Sequence, residues 1–450
     1  MRSSKLKRAS VAEAGAPIFS QHSGRLRLPF RIDSLDCTVH GIYHDPPDLP
    51  PALWQACIEE LTLACLVDMS TASMAREARV ATFEPGRLGR GMFLSAAEAL
   101  RLEVLADHDL PLHLLPVALR GFGRARSVLP SQRPDSNRVL LLMGGGKDSL
   151  YSYNLLRRAG YDVHCFYLTE RRRTWQQLRK VYGALEKQVP HYRAYLDVNS
   201  RTAVEKRYGE YYLSQFQIGQ VIAAALPYAL ANRCQYLALG LERSSDACML
   251  HYRGRPVNHQ HQKSSSFIRQ LNRHLARRFQ GALQVVSPLH GLYDMGIYAR
   301  FLKSSPALVP FQSSCGGANG RSPHCGRCEK CAFLAALLAG LGGDHKLYRA
   351  LFPRDPLQDL EMFDAWLSPE ADRPLTCAGF ADEVRLSLAL VRSRGWPAKV
   401  LEERDYATCD SRDLAIYLGS YGNRMIPDAM RRRIAPHLRL PLEEWTRRLA

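Results

Sequence analysis

The order of apolar and polar positions changes character along the chain. Between about residues 18 and 130, the runs Leu26 to Ile32 and Cys37 to Tyr43 predict strands, and Pro51 to about Val67 predicts a helix, which together read as an α+β region. Ser131-Gln-Arg-Pro-Asp-Ser-Asn137 is polar, contains a proline and reads as a linker. Arg138-Val-Leu-Leu-Leu-Met143 is a continuous apolar run of the kind that makes a strand buried on both faces. A glycine turn follows, then helical spacing from Ser149 to Arg158 with Gly160 as its C-cap. Tyr161 to Leu168, His191 to Val198 and Cys234 to Leu239 predict further strands, separated by helical sequence at Val181 to Lys187 and Tyr208 to Asn232. Such alternation implies βαβ units and a parallel sheet with helices on both faces. A helix from Phe267 to Phe279 and a strand at Gln284 to Val286 complete this region. Ala332 to Leu341 is apolar but too short to span a membrane, and reads as a buried helix. Beyond about residue 345 the patterns are mostly helical. The expected organisation is α/β: an N-terminal α+β domain (1–130), a central parallel-sheet domain (131–344) and a helical C-terminal region (345–450).

A length of 450 residues suits two or three domains rather than one core. The basic start, Met1-Arg-Ser-Ser-Lys-Leu-Lys-Arg8, is not followed by an apolar run, which argues against a secretory signal. With no long apolar stretch elsewhere, a cytoplasmic chain is expected, with no membrane association. The net charge of +18 implies anionic company. Its arginines are scattered, and clusters such as Arg171–Arg173 and Arg431–Arg433 read as solvated helix faces. Charge alone does not choose between nucleic acid and a small molecule with several phosphates or carboxylates.

The glycine turn, Gly144-Gly145-Gly146-Lys147-Asp148-Ser149, lies between a buried strand and a helix. Glycines permit positive φ and close approach of a ligand, and the amides opening the helix favour an anion. Ser149 can donate to a phosphate oxygen; Asp148 beside phosphates must engage a metal or organise the turn. A Walker-type loop needs Ser or Thr directly after the lysine, where Asp148 stands. A dinucleotide fingerprint needs glycine at position 149. Both fail. The turn resembles the PP-loop, S-G-G-x-D-S, of the ATP-pyrophosphatase superfamily, with Gly144 in place of the first serine. That resemblance implies an adenine nucleotide alpha hydrolase-like sheet, ATP held by residues 144–149, magnesium on the phosphates and transfer of AMP to a substrate oxygen.

Cys325-Gly-Arg-Cys328-Glu-Lys-Cys331 makes two overlapping C-x-x-C steps, and Cys315 lies ten residues upstream. Four soft ligands on short turns suit tetrahedral zinc, with an iron–sulfur cluster as the competitor. A closed four-cysteine site is structural, and His324 then stands beside it without ligating. The other cysteines (Cys37, Cys57, Cys65, Cys165, Cys234, Cys248, Cys377 and Cys409) are isolated and read as small, mostly buried thiols. A PP-loop followed by a cysteine cluster is also similar to the layout of 7-cyano-7-deazaguanine synthases.

After the fourth strand of the central domain come Gly240-Leu-Glu-Arg-Ser-Ser-Asp-Ala-Cys248 and Asn258-His-Gln-His-Gln-Lys-Ser264. Glu242, Arg243, Asp246, His259 and Lys263 are the residue types that bind metal, carboxylate or phosphate, or move protons. Each alone reads as a surface polar residue; grouped at a sheet's carboxyl edge they read as part of an active site. His290 and Asp294, on a later loop, are weaker candidates, and His251 and His261 suit solvent equally well.

The large N-terminal region, Met143-Gly-Gly-Gly-Lys-Asp-Ser149, Asn258-His259-Gln260, the cysteine cluster and the helical tail together resemble the MurL family, the UDP-N-acetyl-α-D-muramoyl-L-alanyl-L-glutamate epimerases. The resemblance implies inversion of the terminal L-glutamate of a UDP-linked muramoyl dipeptide in peptidoglycan biosynthesis, through an acyl-adenylate that releases AMP and pyrophosphate. ATP, Mg²⁺ and Zn²⁺ would be the cofactors, with no nucleic acid partner. His259 is the first choice of base and Glu242 the second, with Asp246 and Lys263 beside them. A 7-cyano-7-deazaguanine synthase-like enzyme leaves the flanking regions without a purpose. A tRNA-modifying adenylating enzyme lacks an RNA-binding appendage here. A zinc-stabilised nucleic-acid-binding protein leaves the glycine turn unexplained.

Overall fold

The computed structural model describes residues 7–123, 126–130, 132–169, 172–185, 189–197, 199–209, 216–313, 324–367, 378–402 and 411–441. The N-terminal region runs β1 (Val11–Ala14), β2 (Ile18–Ser20), β3 (Arg25–Ile32), β4 (Leu35–His44), α1 (Pro51–Ala72), β5 (Glu77–Val80), α2 (Gly86–Asp107) and β6 (Ala118–Arg120). The central segment begins with β7 (Asp135–Leu142), α3 (Lys147–Arg158), β8 (Asp162–Thr169), α4 (Arg172–Leu185), β9 (His191–Leu196) and α5 (Asn199–Tyr208). It continues with α6 (Gln217–Ala231), β10 (Cys234–Ala238), the hairpin β11 (Leu250–Tyr252) and β12 (Arg255–Val257), α7 (Ser265–Arg278), β13 (Gln284–Val286) and α8 (Asp294–Ser304). The central segment closes with α9 (Glu329–Leu341), and the described part of the C-terminal region is helical, with α10 (His345–Leu351), α11 (Asp364–Leu367), α12 (Ala381–Ser393), α13 (Ser411–Leu418) and α14 (Asp428–Ile434). No helix among the described residues is long and apolar enough to cross a membrane.

The architecture is α/β around one large mixed sheet, in the order β13-β10-β7-β8-β9-β4-β3-β1-β5-β6, with β2 on β3. From β13 to β9 every pairing is parallel. At β9 the N-terminal strands join antiparallel, Gly41 opposite Leu196 and His44 opposite Arg193. The N-terminal and central regions therefore share a sheet. The segment expected as a linker is partly strand, since β7 begins at Asp135. The helix expected from Tyr208 to Asn232 is observed as α6, Gln217–Ala231, while Tyr208 is the last residue of α5, a helix that the pattern did not predict. Gly209, at φ +117°, donates its amide to the Glu205 carbonyl and ends α5, and α6 starts at Gln217.

Successive residues of β7 point to opposite faces, and both faces are covered, which is why the run reads as continuously apolar. Val139 and Leu141 enter a core shared with α3, α8, α9 and α12; Leu140 and Leu142 enter one shared with α1, α6 and α7. Helix α9 is apolar all round because it lies inside the first core, with Gly340 against the Ser387 carbonyl of α12. Truncating one of its buried leucines to alanine removes about 2–5 kcal/mol. Strands β7, β8 and β9 proceed in one direction across the sheet, whereas β10 and β13 proceed in the other. The order thus reverses between β7 and β10, and the crevice at their carboxyl ends is where open α/β sheets bind ligands.

Candidate active site

The glycine turn opens at that crevice. Among its three glycines, Gly145 alone has positive φ, +76°, and a Cβ there would meet Leu178 Cδ2 at 3.0 Å. A Cβ at Gly144 would meet nothing within 4 Å, so space stands beside the turn where the PP-loop pattern has serine. Gly146 is the N-cap of α3, and Ser149 Oγ donates to its carbonyl at 3.0 Å. Across the crevice, a Cβ on Gly240 would approach the Asp148 carbonyl carbon to 2.7 Å, so the chain leaving β10 crosses the first turn of α3 in close contact. Ser313 donates its amide to the Gly145 carbonyl at 2.8 Å, bringing the segment that leads to the cysteines onto the turn.

Lys147 is buried, and its Nζ lies 2.5 Å from both Asp148 Oδ1 and Asp294 Oδ1. Ser244 Oγ donates to Asp294 Oδ2 at 3.3 Å and lies 3.5 Å from Glu242 Oε1. Burial alone would lower the Lys147 ammonium; the charges of Asp148, Asp294 and Glu242 outweigh it and push it up. Burial, with the neighbouring carboxylates of Asp294 and Glu242, pushes the Asp148 carboxyl up against the pull of Lys147. A lysine facing several carboxylates at a helix N-terminus offers both cation and anion contacts to a metal–phosphate ligand. Asp294 opens α8 rather than lying in a loop, and α12 holds that helix end: Glu383, fully buried, accepts from the Met295 amide at 2.8 Å.

The two segments after β10 are stitched together. Asn258 Nδ2 donates to the Ser245 carbonyl at 2.8 Å, and Ser245 Oγ to the Lys263 carbonyl at 3.2 Å. Asp246 accepts from the Ser265 amide at 2.6 Å and faces His290 Nε2 at 3.1 Å. Burial would raise the Asp246 carboxyl, but these contacts outweigh it and hold it down at about 2. His259 Nδ1 lies 2.6 Å from Glu103 Oε1 of α2, both residues buried. Lys263 Nζ reaches Gln260 Oε1 at 3.4 Å. His251 is exposed, whereas His261 is half-buried with Nε2 3.0 Å from Ser95 Oγ. The guanidinium of Arg243 stacks 4.4 Å from the Tyr421 ring, so the C-terminal region also reaches this edge. The structure thus groups Lys147, Asp148 and Asp294 with Ser244 and Glu242, and pairs Asp246 with His290 and His259 with Glu103. Asp294 had a signal in the sequence, an acidic residue at a helix start; Glu103 had none.

Cys325, Cys328 and Cys331 bring their sulfurs within 4.8 Å of one another. Cys328 is the N-cap of α9 and Cys331 lies in its first turn, where the helix end favours thiolate. Gly326, at φ +66°, makes the turn between the first two, packed against the Arg354 carbonyl. Three converging soft donors fit a metal ion. Cys315, expected as the fourth ligand, lies outside the described residues. His324 is buried with its ring tilted against that of Phe352, centroids 4.9 Å apart.

Residues 313–410 match the family described as the MurL C-terminal domain. The chain is similar to the UDP-N-acetyl-alpha-D-muramoyl-L-alanyl-L-glutamate epimerase of Xanthomonas oryzae pv. oryzae (strain MAFF 311018), 26% identical over 320 residues, 66% of this chain and 67% of that protein. It is similar also to the protein of the same name from Micromonospora sp. (strain ATCC 39149 / NRRL 15099 / SCC 1413), 26% identical over 280 residues, 59% of this chain and 60% of that protein. These similarities support the MurL assignment that the motifs imply.

Proposed function

We propose that this chain, assigned to the MurL family by its matched domain and its relatives, is an ATP-dependent epimerase that inverts the terminal L-glutamate of UDP-N-acetylmuramoyl-L-alanyl-L-glutamate to D-glutamate. The observation that carries the reading is Lys147 among Asp148, Asp294 and Glu242, at a helix N-terminus where the strand order reverses. ATP enters as a substrate, its phosphates on the turn of residues 144–149. Asp148 and Asp294 are the carboxylates that would face a magnesium ion, which neutralises phosphate charge. Cys325, Cys328 and Cys331 with Cys315 would hold zinc as a structural ion joining the C-terminal domain to the turn.

A carboxylate resists loss of its neighbouring proton, because a dianionic enolate would form. Transfer of AMP to the glutamate carboxylate removes that charge and releases pyrophosphate, so a general base can take the α-hydrogen. His259, held by Glu103, is the proposed base; Glu242 sits beside Lys147 and ranks second. Asp246 and Lys263 complete the same edge. The net charge of +18 suits a substrate with a diphosphate and carboxylates.

The test is incubation with ATP, magnesium and the UDP-linked L-glutamate substrate in D₂O, then hydrolysis and analysis of glutamate chirality and deuterium. Deuterated D-glutamate formed only with ATP is expected. Unchanged, undeuterated L-glutamate from folded, metal-loaded protein would sink the reading and turn the search to deazapurine and tRNA substrates.

A further inference from the structure

Inversion at carbon removes a proton from one face and returns one to the other, which two acid–base groups accomplish directly. His259 with Glu103 supplies one carboxylate–imidazole pair, and a second stands at the same sheet edge. His290, on the loop from β13 to α8, is 5% exposed, and its Nε2 lies 3.1 Å from Asp246 Oδ2. By hydrogen-bond geometry neither ring nitrogen has a partner among the described residues: Nε2 approaches the Asp246 carboxylate as an ion-pair contact, off the line of a hydrogen bond, and Nδ1 faces no polar group. A buried ring nitrogen left without a partner is uncommon in a folded protein and points to a missing ligand.

The loop that carries His290 is held from several sides. Ser287 Oγ bonds both the amide and the carbonyl of Leu241, and the Arg243 amide donates to the Leu292 carbonyl at 2.8 Å. From the C-terminal region, Asn423 Nδ2 donates to the Ser287 and Pro288 carbonyls, and the Tyr421 amide to that of Gly291. Such support is what a group that must meet a reacting carbon needs. Both pairs border the turn of residues 243–246: Asp246 faces His290, while Ser245 is bonded to Asn258 and Lys263 on either side of His259.

We infer that His290, oriented by Asp246, is a second acid–base group of the inversion and works with His259, oriented by Glu103. The assignment rests on the epimerase reading. As the α-carbon–hydrogen bond breaks, one imidazole takes the proton and the electron pair moves into the activated carboxyl to form an enolate. The other, entering as imidazolium, gives its proton to the α-carbon, and the enolate's electron pair forms the new bond. Exchange with solvent returns both rings to their starting protonation. Asp246 acts through His290 and is a positioning residue.

The experiment offers the L-glutamate and D-glutamate forms of the substrate separately to the full chain and to His290→Asn and His259→Asn, with ATP and magnesium in D₂O. Chirality and α-deuterium are read for each. His290→Asn is expected to slow inversion by at least ~100-fold while still exchanging the α-hydrogen of one epimer without inversion. His259→Asn is expected to keep exchange of the opposite epimer. Asp246→Asn should reproduce the His290→Asn pattern more weakly, at roughly tenfold. If His290→Asn does not fold, His290→Gln takes its place. A folded His290 variant that inverts at the wild-type rate, or that loses exchange of both epimers equally, overturns the assignment alone. A wild type that neither exchanges nor inverts overturns the epimerase reading and this assignment with it.

Discussion

Two buried carboxylate–imidazole pairs tie the N-terminal helices to the central region, and they differ in what surrounds them. Glu60 of α1 meets His274 of α7 at 2.7 Å; Glu103 of α2 meets His259 at 2.6 Å. All four residues are buried. Glu60 also faces Arg278 at 3.4 Å, and Arg278 bonds Glu59 and the Arg126 carbonyl in turn. Burial would raise the Glu60 carboxyl, but His274 and Arg278 outweigh it and hold it below its ordinary range. Ala64, Met92, Leu271 and Leu275 of the same core lie around it. His259 too lies near Ala96, Leu100 and Phe216, but it stands on a turn bonded to the segment that carries Glu242 and Asp246. Distance and burial are nearly the same, so neither separates an interface pair from a site pair. Under the proposed assignment, position relative to the sheet's carboxyl edge does.

Breaking the first pair should have the largest effect, and on stability. Glu60→Ala leaves His274 and Arg278 without their shared carboxylate, and removing one partner of a buried pair costs about 3–5 kcal/mol. Denaturant unfolding measures this, and the fraction that remains folded should keep the wild-type kcat. Glu103→Gln should behave in the opposite way. The amide oxygen still accepts from His259 Nδ1, so stability should fall by only about 1 kcal/mol. The charge that supports an imidazolium is gone, and kcat should fall roughly 10- to 100-fold, part of what a general base contributes. A Glu103→Gln variant that loses stability as Glu60→Ala does and keeps its kcat would place both pairs in the interface class.

The Asp246–His290 contact is intermediate, because the carboxylate side chain is 38% exposed while the imidazole is buried. Asp246 is held at about 2 against an ordinary 3.8. A depressed carboxyl contributes stability that is present above its unfolded value and lost as pH falls through the folded one. The wild type should therefore exceed Asp246→Asn in thermal midpoint at about pH 5, above the carboxyl's unfolded value. That margin should shrink between about pH 3.8 and 2. Exposure makes it smaller than for Glu60→Ala. A margin that does not change with pH would mean the carboxylate contributes packing rather than charge.

Local signals made part of this legible in the sequence. The apolar run of β7, the glycine turn and the C-x-x-C spacing each lie within a few residues, and the strand Gln284–Val286 falls where its pattern placed it. Helix α5 was not predicted, and Gly209, which ends it, falls inside the stretch read as one helix from Tyr208. The pairing of β4 with β9 was not legible either, since nothing local to Gly41 names Leu196 as its neighbour. The same holds for the site. Lys147 and Glu242 could be singled out by place, but the partnerships of Lys147 with Asp294 and of His259 with Glu103 span 147 and 156 residues. Such partnerships belong to the tertiary fold.

The smallest effect expected is at Glu98, five residues before Glu103 on the same helix. Glu98 Oε1 lies 2.5 Å from Arg255 of the β11–β12 hairpin, with both side chains about half exposed. Each carboxylate thus connects α2 to the segment between β10 and α7, one in solvent and one in the interior. An exposed pair is worth about 0–1 kcal/mol, so Glu98→Gln should leave the thermal midpoint nearly unchanged and kcat at the wild-type value. The substitution isolates what Glu103 does beyond docking α2. If Glu98→Gln lowers kcat as far as Glu103→Gln does, the loss comes from how the helix seats on the hairpin, and His259 needs no buried carboxylate to explain it. If kcat falls only with Glu103→Gln, the interior charge acts on the imidazole itself.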